Sequence, residues 1–197
     1  MFALCREPEG RGEPMRASKK IDVVKYMILS GITAFVIVVD QVTKFYIGKS
    51  FRLEEMLTII PNFLDIHYII NTGAAFGIMS RLPNGMKIPF LIGVSIMAML
   101  LILYLLLKAK RDKMLYIISL SLVFAGAVGN LIDRIMIGGV RGFISMHIYR
   151  LHWPVFNVAD SAISVGIVFL AYELIIAEPK REKEAKKMST KETAAGS

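Results

Sequence analysis

The chain is poor in the residues that mark most hydrolases and most secreted folds. It has one cysteine, Cys5, so no internal disulfide can form and nothing in it requires an oxidising compartment. No HExxH is present to hold zinc on a helix. No GxSxG or comparable Ser/His arrangement offers an activated serine, and GxGD, the mark of one class of intramembrane aspartic protease, is also missing. Residues 1–20 lack the apolar core of a cleavable signal peptide. FALC, Phe2–Cys5, is a poor lipid-attachment box, because Leu4 is not small and no apolar run precedes it. Above all, charge is scarce in four long stretches, and one of them, 88–107, has none.

Those stretches dominate the composition. The chain of 197 residues is 55% hydrophobic, with a mean hydropathy of +0.56, which is far from the balance of a soluble domain. Four runs, about 26–47, 88–107, 114–134 and 155–177, approach the ~20 residues needed to cross a bilayer. The expected fold class is therefore an all-α membrane protein with four transmembrane helices. Residues 1–20, polar and rich in Gly and Pro, are expected to be a disordered extension, with Met15 an alternative start. Residues 21–178 form the membrane domain, and 179–197 a charged tail whose basic residues meet anionic lipid.

The net charge of +8 does not point to nucleic acid, because it is segregated. Of 24 Lys and Arg, six precede the first run, four lie between the second and third, and six follow the fourth. The two longer connections share six. Basic loops stay in the cytoplasm, so both termini are expected there and both long connections outside. An even number of spans requires the same.

Three runs carry an Asp at the end assigned to the outside. DQVTK places Asp40 and Lys44 four apart on one helical face, a structural ion pair or a working one. GNLIDR places Asn130, Asp133 and Arg134 together, after the small residues Ala125, Gly126, Ala127 and Gly129 that admit a close helix. FNVADS places Asn157 and Asp160 three apart. Intramembrane acids are functional candidates by default; a polar clamp between helices is the competing reading. In the first outer connection LDIHYIIN, Leu64–Asn71, alternates as a half-buried strand, followed by the glycine-bearing turn NTGAAFG. The second contains His147 and His152, read as surface or interfacial histidines in preference to metal ligands, and Trp153, a residue suited to the interface.

Two acids sharing a desolvated rim divide their labour. One holds a proton and the other is ionised, so one activates water while the other protonates the scissile carbonyl. At this point the motifs resemble a known family. DQVTK, NTGAAFG, GNLIDR and WPVFNVADS, in this order over residues 22–177, are similar to those of bacterial lipoprotein signal peptidase, signal peptidase II. The resemblance implies cleavage of lipid-modified prolipoproteins just before the diacylglyceryl-cysteine, at the outer face of the inner membrane. It also implies a β-cradle on the periplasmic side, no cofactor or metal, no nucleic acid, contact with membrane lipids and a monomer. It assigns one catalytic acid to Asp160. The second belongs in a V-x-D-F motif that reads Val140-Arg141-Gly142-Phe143 here, so Gly142 stands where the family's Asp is expected. Asp40, Lys44, Asn71, Gly73, Asn130, Asp133, Arg134, Asn157 and Ala159 match family positions that support the site or contact substrate. A peptidase with impaired chemistry, a pseudo-peptidase that binds lipoproteins without cutting, and a small transporter are the alternatives. Asp133 as a replacement second acid is also open.

Overall fold

The computed structural model describes residues 23–73, 84–110, 113–149 and 151–195. The expected N-terminal extension, 1–20, and the Ala74–Gly77 end of NTGAAFG lie outside them. Four helices are long and apolar enough to cross a membrane. They begin with α1 (Val23–Ser50), α2 (Asn84–Lys108) and α3 (Met114–Ile137). The fourth is α4 (Val158–Tyr172), which runs through a five-residue π-turn segment (Glu173–Ala177) into α5 (Glu178–Ala195). Large side chains such as Phe35, Met97 and Val168 are exposed along these helices. Lipid replaces water as their solvent, so the usual rule of apolar residues inside does not apply.

The helices approach most closely where side chains vanish. A Cβ built on Gly126 would lie 2.3 Å from the carbonyl oxygen of Ala159, so α3 and α4 approach backbone to backbone here. Val36 of α1 packs into the same place with Ala125 and Ala162. A second cluster, Leu106, Ile117 and Leu120, joins α2 to α3 nearer the opposite end. At that end Lys25 donates to the carbonyl oxygens of Leu107 and Ala109, satisfying the last acceptors of α2. Lys113 pairs with Glu178, and buried Glu173 with Arg181.

The remaining chain forms a four-stranded antiparallel sheet in the order β1 (Met56–Ile60), β2 (Leu64–Asn71), β3 (Val140–Ile148) and β4 (Leu151–His152). β2 coincides with the strand that the alternation predicts. Gly138 ends α3 in the left-handed conformation, φ 71°, its N–H returning to the Arg134 carbonyl 3.2 Å away. This turn sends the chain directly into β3. There Ile69 faces Gly142 and Asn71 faces Val140 across the β2–β3 ladder. On the other side of β3, Phe143 and Ile144 both donate to the Phe156 carbonyl, at 3.0 and 2.9 Å. That pairing explains a difference from the sequence-based boundary. Helix α4 starts at Val158 and not at Val155, because Phe156 is held as an extended partner of β3.

Candidate active site

The polar residues of three helices and β3 meet at the sheet end of the bundle. Lys44 is fully buried, its Nζ 2.7 Å from Asp40 Oδ2, 3.1 Å from Asp133 Oδ2 and 3.4 Å from Asn130 Oδ1. A buried charge survives only when paired and hydrogen-bonded, and here two carboxylates flank one ammonium. Asp40 uses its other oxygen to accept the Ala159 N–H at 2.9 Å. Ala159 has no exposed surface; its small size brings the start of α4 within reach of Asp40.

Asp133 is saturated. Besides Lys44 it accepts from Arg141 Nη2 at 2.6 Å and from the Arg141 backbone N–H at 2.9 Å. The hydrogen bond to Asp133 is the main cause that holds the Arg141 guanidinium above its ordinary pKa, against the opposing effect of its partial burial. Gln41 joins the group, accepting from Arg141 at 3.3 Å and donating to Asp40 at 3.0 Å.

Asp160 occupies a different position. Asn130 Nδ2 donates to its Oδ1 at 2.7 Å and the Asn157 backbone N–H to its Oδ2 at 3.2 Å. The Asn157 side chain in turn accepts the Asp160 N–H at 2.8 Å, making a reciprocal cap at the start of α4. Asn157 Nδ2 donates to the Arg141 carbonyl at 2.8 Å and to Asn130 Oδ1 at 3.2 Å. No Lys or Arg bonds to Asp160 among the described residues, and it is partly exposed. It lines an apolar cavity of about 790 Å³ between α4 and the outer half of the sheet, with Phe63, Met146, Trp153, Phe156 and Val165.

Gly142 is buried in β3, between Arg141, whose carbonyl holds Asn157, and Phe143, which bonds to Phe156. The position of the missing acid is thus adjacent in the chain to the peptide that fixes the cap of Asp160. Asn71 Oδ1 accepts the Gly73 N–H at 2.8 Å, and Gly73 has φ 93°. This pair forms a turn at the far end of β2 and makes no hydrogen bond to Asp160.

One expectation is corrected. The spacing groups Arg134 with Asn130 and Asp133, but its Nη1 lies 3.4 Å from Ser95 Oγ on α2 and its Nε is buried without a hydrogen-bond partner among the described residues. Asn130 likewise bonds to Asp160 rather than Asp133. Three and four residues on a helix share a face only approximately. Adjacent residues 133 and 134 diverge by ~100°, which sends one to α1 and β3 and the other to α2. Sequence reasoning missed Arg141 and Gln41 as members of the site. Arg141 was within reach of it: it stands beside the aligned Gly142, and strand alternation turns neighbours to opposite faces.

Four membrane-capable helices, three of which enclose a buried acid–base cluster with β3, mark a multi-pass membrane enzyme. Two solved bacterial membrane enzymes share the architecture, both determined by the in meso method. One, at 1.9 Å, has a TM-score of 0.68 and 34% identity, covering 75% of this chain and 92% of that one. The other, at 2.3 Å, has a TM-score of 0.67 at the same identity. The chain belongs to the signal peptidase II family, whose model matches residues 32–176, and it is accordingly a peptidase. The lipoprotein signal peptidase of Syntrophus aciditrophicus is 44% identical over 81% of this chain and 98% of its own length. That of Staphylococcus aureus is 36% identical over 82% and 98%.

Proposed function

We propose that this protein is an endopeptidase-type membrane protein of the bacterial inner membrane that takes diacylglyceryl-modified prolipoproteins and acts at their signal peptides. The observation that supports it is Asp160, held by two asparagines and, among the described residues, making no hydrogen bond to a Lys or Arg, on the wall of an apolar cavity. An acylated precursor needs such a cavity, and an acid at its wall can reach the peptide beside the lipid. In the aspartic mechanism an ionised acid takes a proton from water while a protonated one donates to the scissile carbonyl. Asp160 supplies one of the two. Gly142 cannot supply the other, and Asp133, bonded on both oxygens to cations, is unsuited to it. The second reading, favoured by Gly142, is a protein that binds the lipidated precursor and releases it uncut.

The purified chain in detergent separates the readings. It should retain a diacylglyceryl-modified precursor and not the unmodified one, with cleavage slow. Fast cleavage would remove the second reading, and equal retention of both precursors would remove the first and second together. The reading also sets both termini in the cytoplasm and the sheet outside. A reporter joined after Ala177 should behave as cytoplasmic and one near Pro83 as external; a periplasmic signal after Ala177 would overturn the topology. We infer a monomer in contact with membrane lipid, without cofactor or metal.

A further inference from the structure

Strand β1 is the least covered element of the sheet. All five of its residues, Met56–Ile60, are exposed, and only Thr58 is polar. An edge strand in water alternates apolar with polar residues, and charge or proline guards it against pairing with another chain. β1 has neither guard, and its apolar side chains leave from both faces. Met56 and Leu57, paired with His67 and Ile66, are successive residues and turn opposite ways. Leu53 before the strand and Phe63 after it are exposed as well. Among the described residues no strand pairs with the other edge of β1.

Helix α1 carries a ruler for the depth of this strand. Tyr26 and Tyr46 are both exposed and stand 20 residues apart. That is ~30 Å along a helix, the thickness of the hydrocarbon layer, and tyrosine favours the two edges of that layer. The only charged residues between them, Asp40 and Lys44, are buried. Just past Tyr46 the helix becomes polar, with Lys49 and Ser50 exposed. The sheet is pinned to this same level. Gly48 lies two residues, ~3 Å, beyond Tyr46, and a Cβ on it would be 3.4 Å from the Tyr68 hydroxyl of β2. The Glu54 N–H donates to the Tyr68 carbonyl at 2.9 Å, and the Tyr68 N–H to the Glu55 carbonyl at 3.0 Å. β1 therefore starts beside the end of α1, where lipid headgroups lie.

We propose that β1, with Leu53 and Phe63, is an interfacial foot that lies along the headgroup–acyl boundary of a zwitterionic phospholipid leaflet, with lipid covering both of its faces. The charges at its start fit that partner. Lys49, Arg52, Glu54 and Glu55 are exposed around the turn, two of each sign, opposite a headgroup layer that also carries both signs. The depth is bounded from both sides. Water would leave the apolar side chains of β1 uncovered. Hydrocarbon would leave the N–H and C=O groups of its free edge without partners, whereas headgroup oxygens and interfacial water satisfy them. Phe63 also lines the cavity that contains Asp160, so one end of the foot is cavity wall.

Spin labels measure this depth directly. The one native cysteine, Cys5, is replaced by alanine, and single cysteines are labelled in the full chain. The chain is placed in vesicles of phosphatidylethanolamine and phosphatidylcholine. The ratio of collisions with oxygen to collisions with a water-soluble nickel chelate gives the depth. Labels at Met56→Cys and Leu57→Cys should both read on the order of 5–10 Å into the leaflet, the depth of an interfacial apolar face. A label at Phe45→Cys, one residue inside Tyr46, should read deeper. Neither precursor nor cleavage enters the measurement, so its outcome is independent of the activity proposed above. Frequent nickel collisions at 56 or 57 would place the strand in water and overturn the foot. A label shielded from oxygen and nickel alike would mean that protein, a second copy included, covers the strand, and would overturn it equally. A Phe45 label no deeper than those on β1 would remove the ruler, and the foot with it.

Discussion

Gly142→Asp should raise cleavage of a diacylglyceryl-modified precursor on the order of 10³-fold or more, the scale by which removal of one member of a catalytic group lowers rate. The backbone accepts the change. Gly142 lies in β3 and is not among the positive-φ glycines of the described residues, Gly73 and Gly138. Its new Cβ would meet Val155 Cγ1 and the Val155 carbonyl, each at 3.3 Å, and Ile69 Cγ1 at 3.5 Å. Val155 must therefore yield by a few tenths of an ångström. It stands in an extended segment before α4, so the required shift is small. On the proposed pairing of 142 with 160, the added carboxylate joins an acid already oriented by Asn130 and Asn157. Neighbouring acids then share one proton between them. Gly142→Asp combined with Asp160→Asn should again be inactive. If the unaltered chain cleaves as fast as Gly142→Asp, the second acid comes from elsewhere and the pairing of 142 with 160 fails; the loss of rate in Asp133→Asn would then locate it.

Lys44→Met should be the most destabilising single change in the bundle. Removing one partner of a buried ion pair costs ~3–5 kcal/mol, because the charge left behind has no compensation. Here Asp40 is left without its cation and Asp133 keeps only Arg141, and neither acid has exposed surface. Asp40 also holds the Ala159 N–H, so α4 loosens with it. Thermal unfolding in micelles should fall on the order of 10 °C for a chain of this size. Arg141→Met should cost less, since that side chain is 16% exposed and Asp133 keeps Lys44. A midpoint for Lys44→Met within a degree or two of the parent would show that the triad contributes nothing net. Partial recovery in Lys44→Met with Asp40→Asn would attribute the loss to the stranded charge.

The long elements were legible because lipid imposes a simple rule: a span must be apolar and about 20 residues long. The β2 strand was legible from its alternation, Leu64, Ile66, Tyr68 and Ile70 against Asp65, His67, Ile69 and Asn71. The pairing of Asp40 with Lys44 followed from helical spacing alone. What escaped was the partner of each polar group across elements. Whether Asp133 meets Arg134 beside it or Arg141 eight residues on depends on where β3 lies over α3. That is fixed by the Gly138 turn and the β2–β3 register, which no local pattern encodes. The start of α4 escaped for a related reason, since an apolar Val155-Phe156 reads as helix until its strand partner is known.

The π-turn segment at Glu173–Ala177 has a consequence for the part of the chain farthest from Asp160. A turn with one extra residue offsets everything after it by ~100° relative to a regular helix. That offset lets Glu173 point into the bundle while Arg181, eight residues later, folds back to meet it, and it brings Glu178 round to Lys113. The compass bearing of the charged tail is therefore indexed to the membrane domain by residue count rather than by composition. Two tails of identical charge, one residue different in length at this turn, would present flanks turned by ~100° from one another.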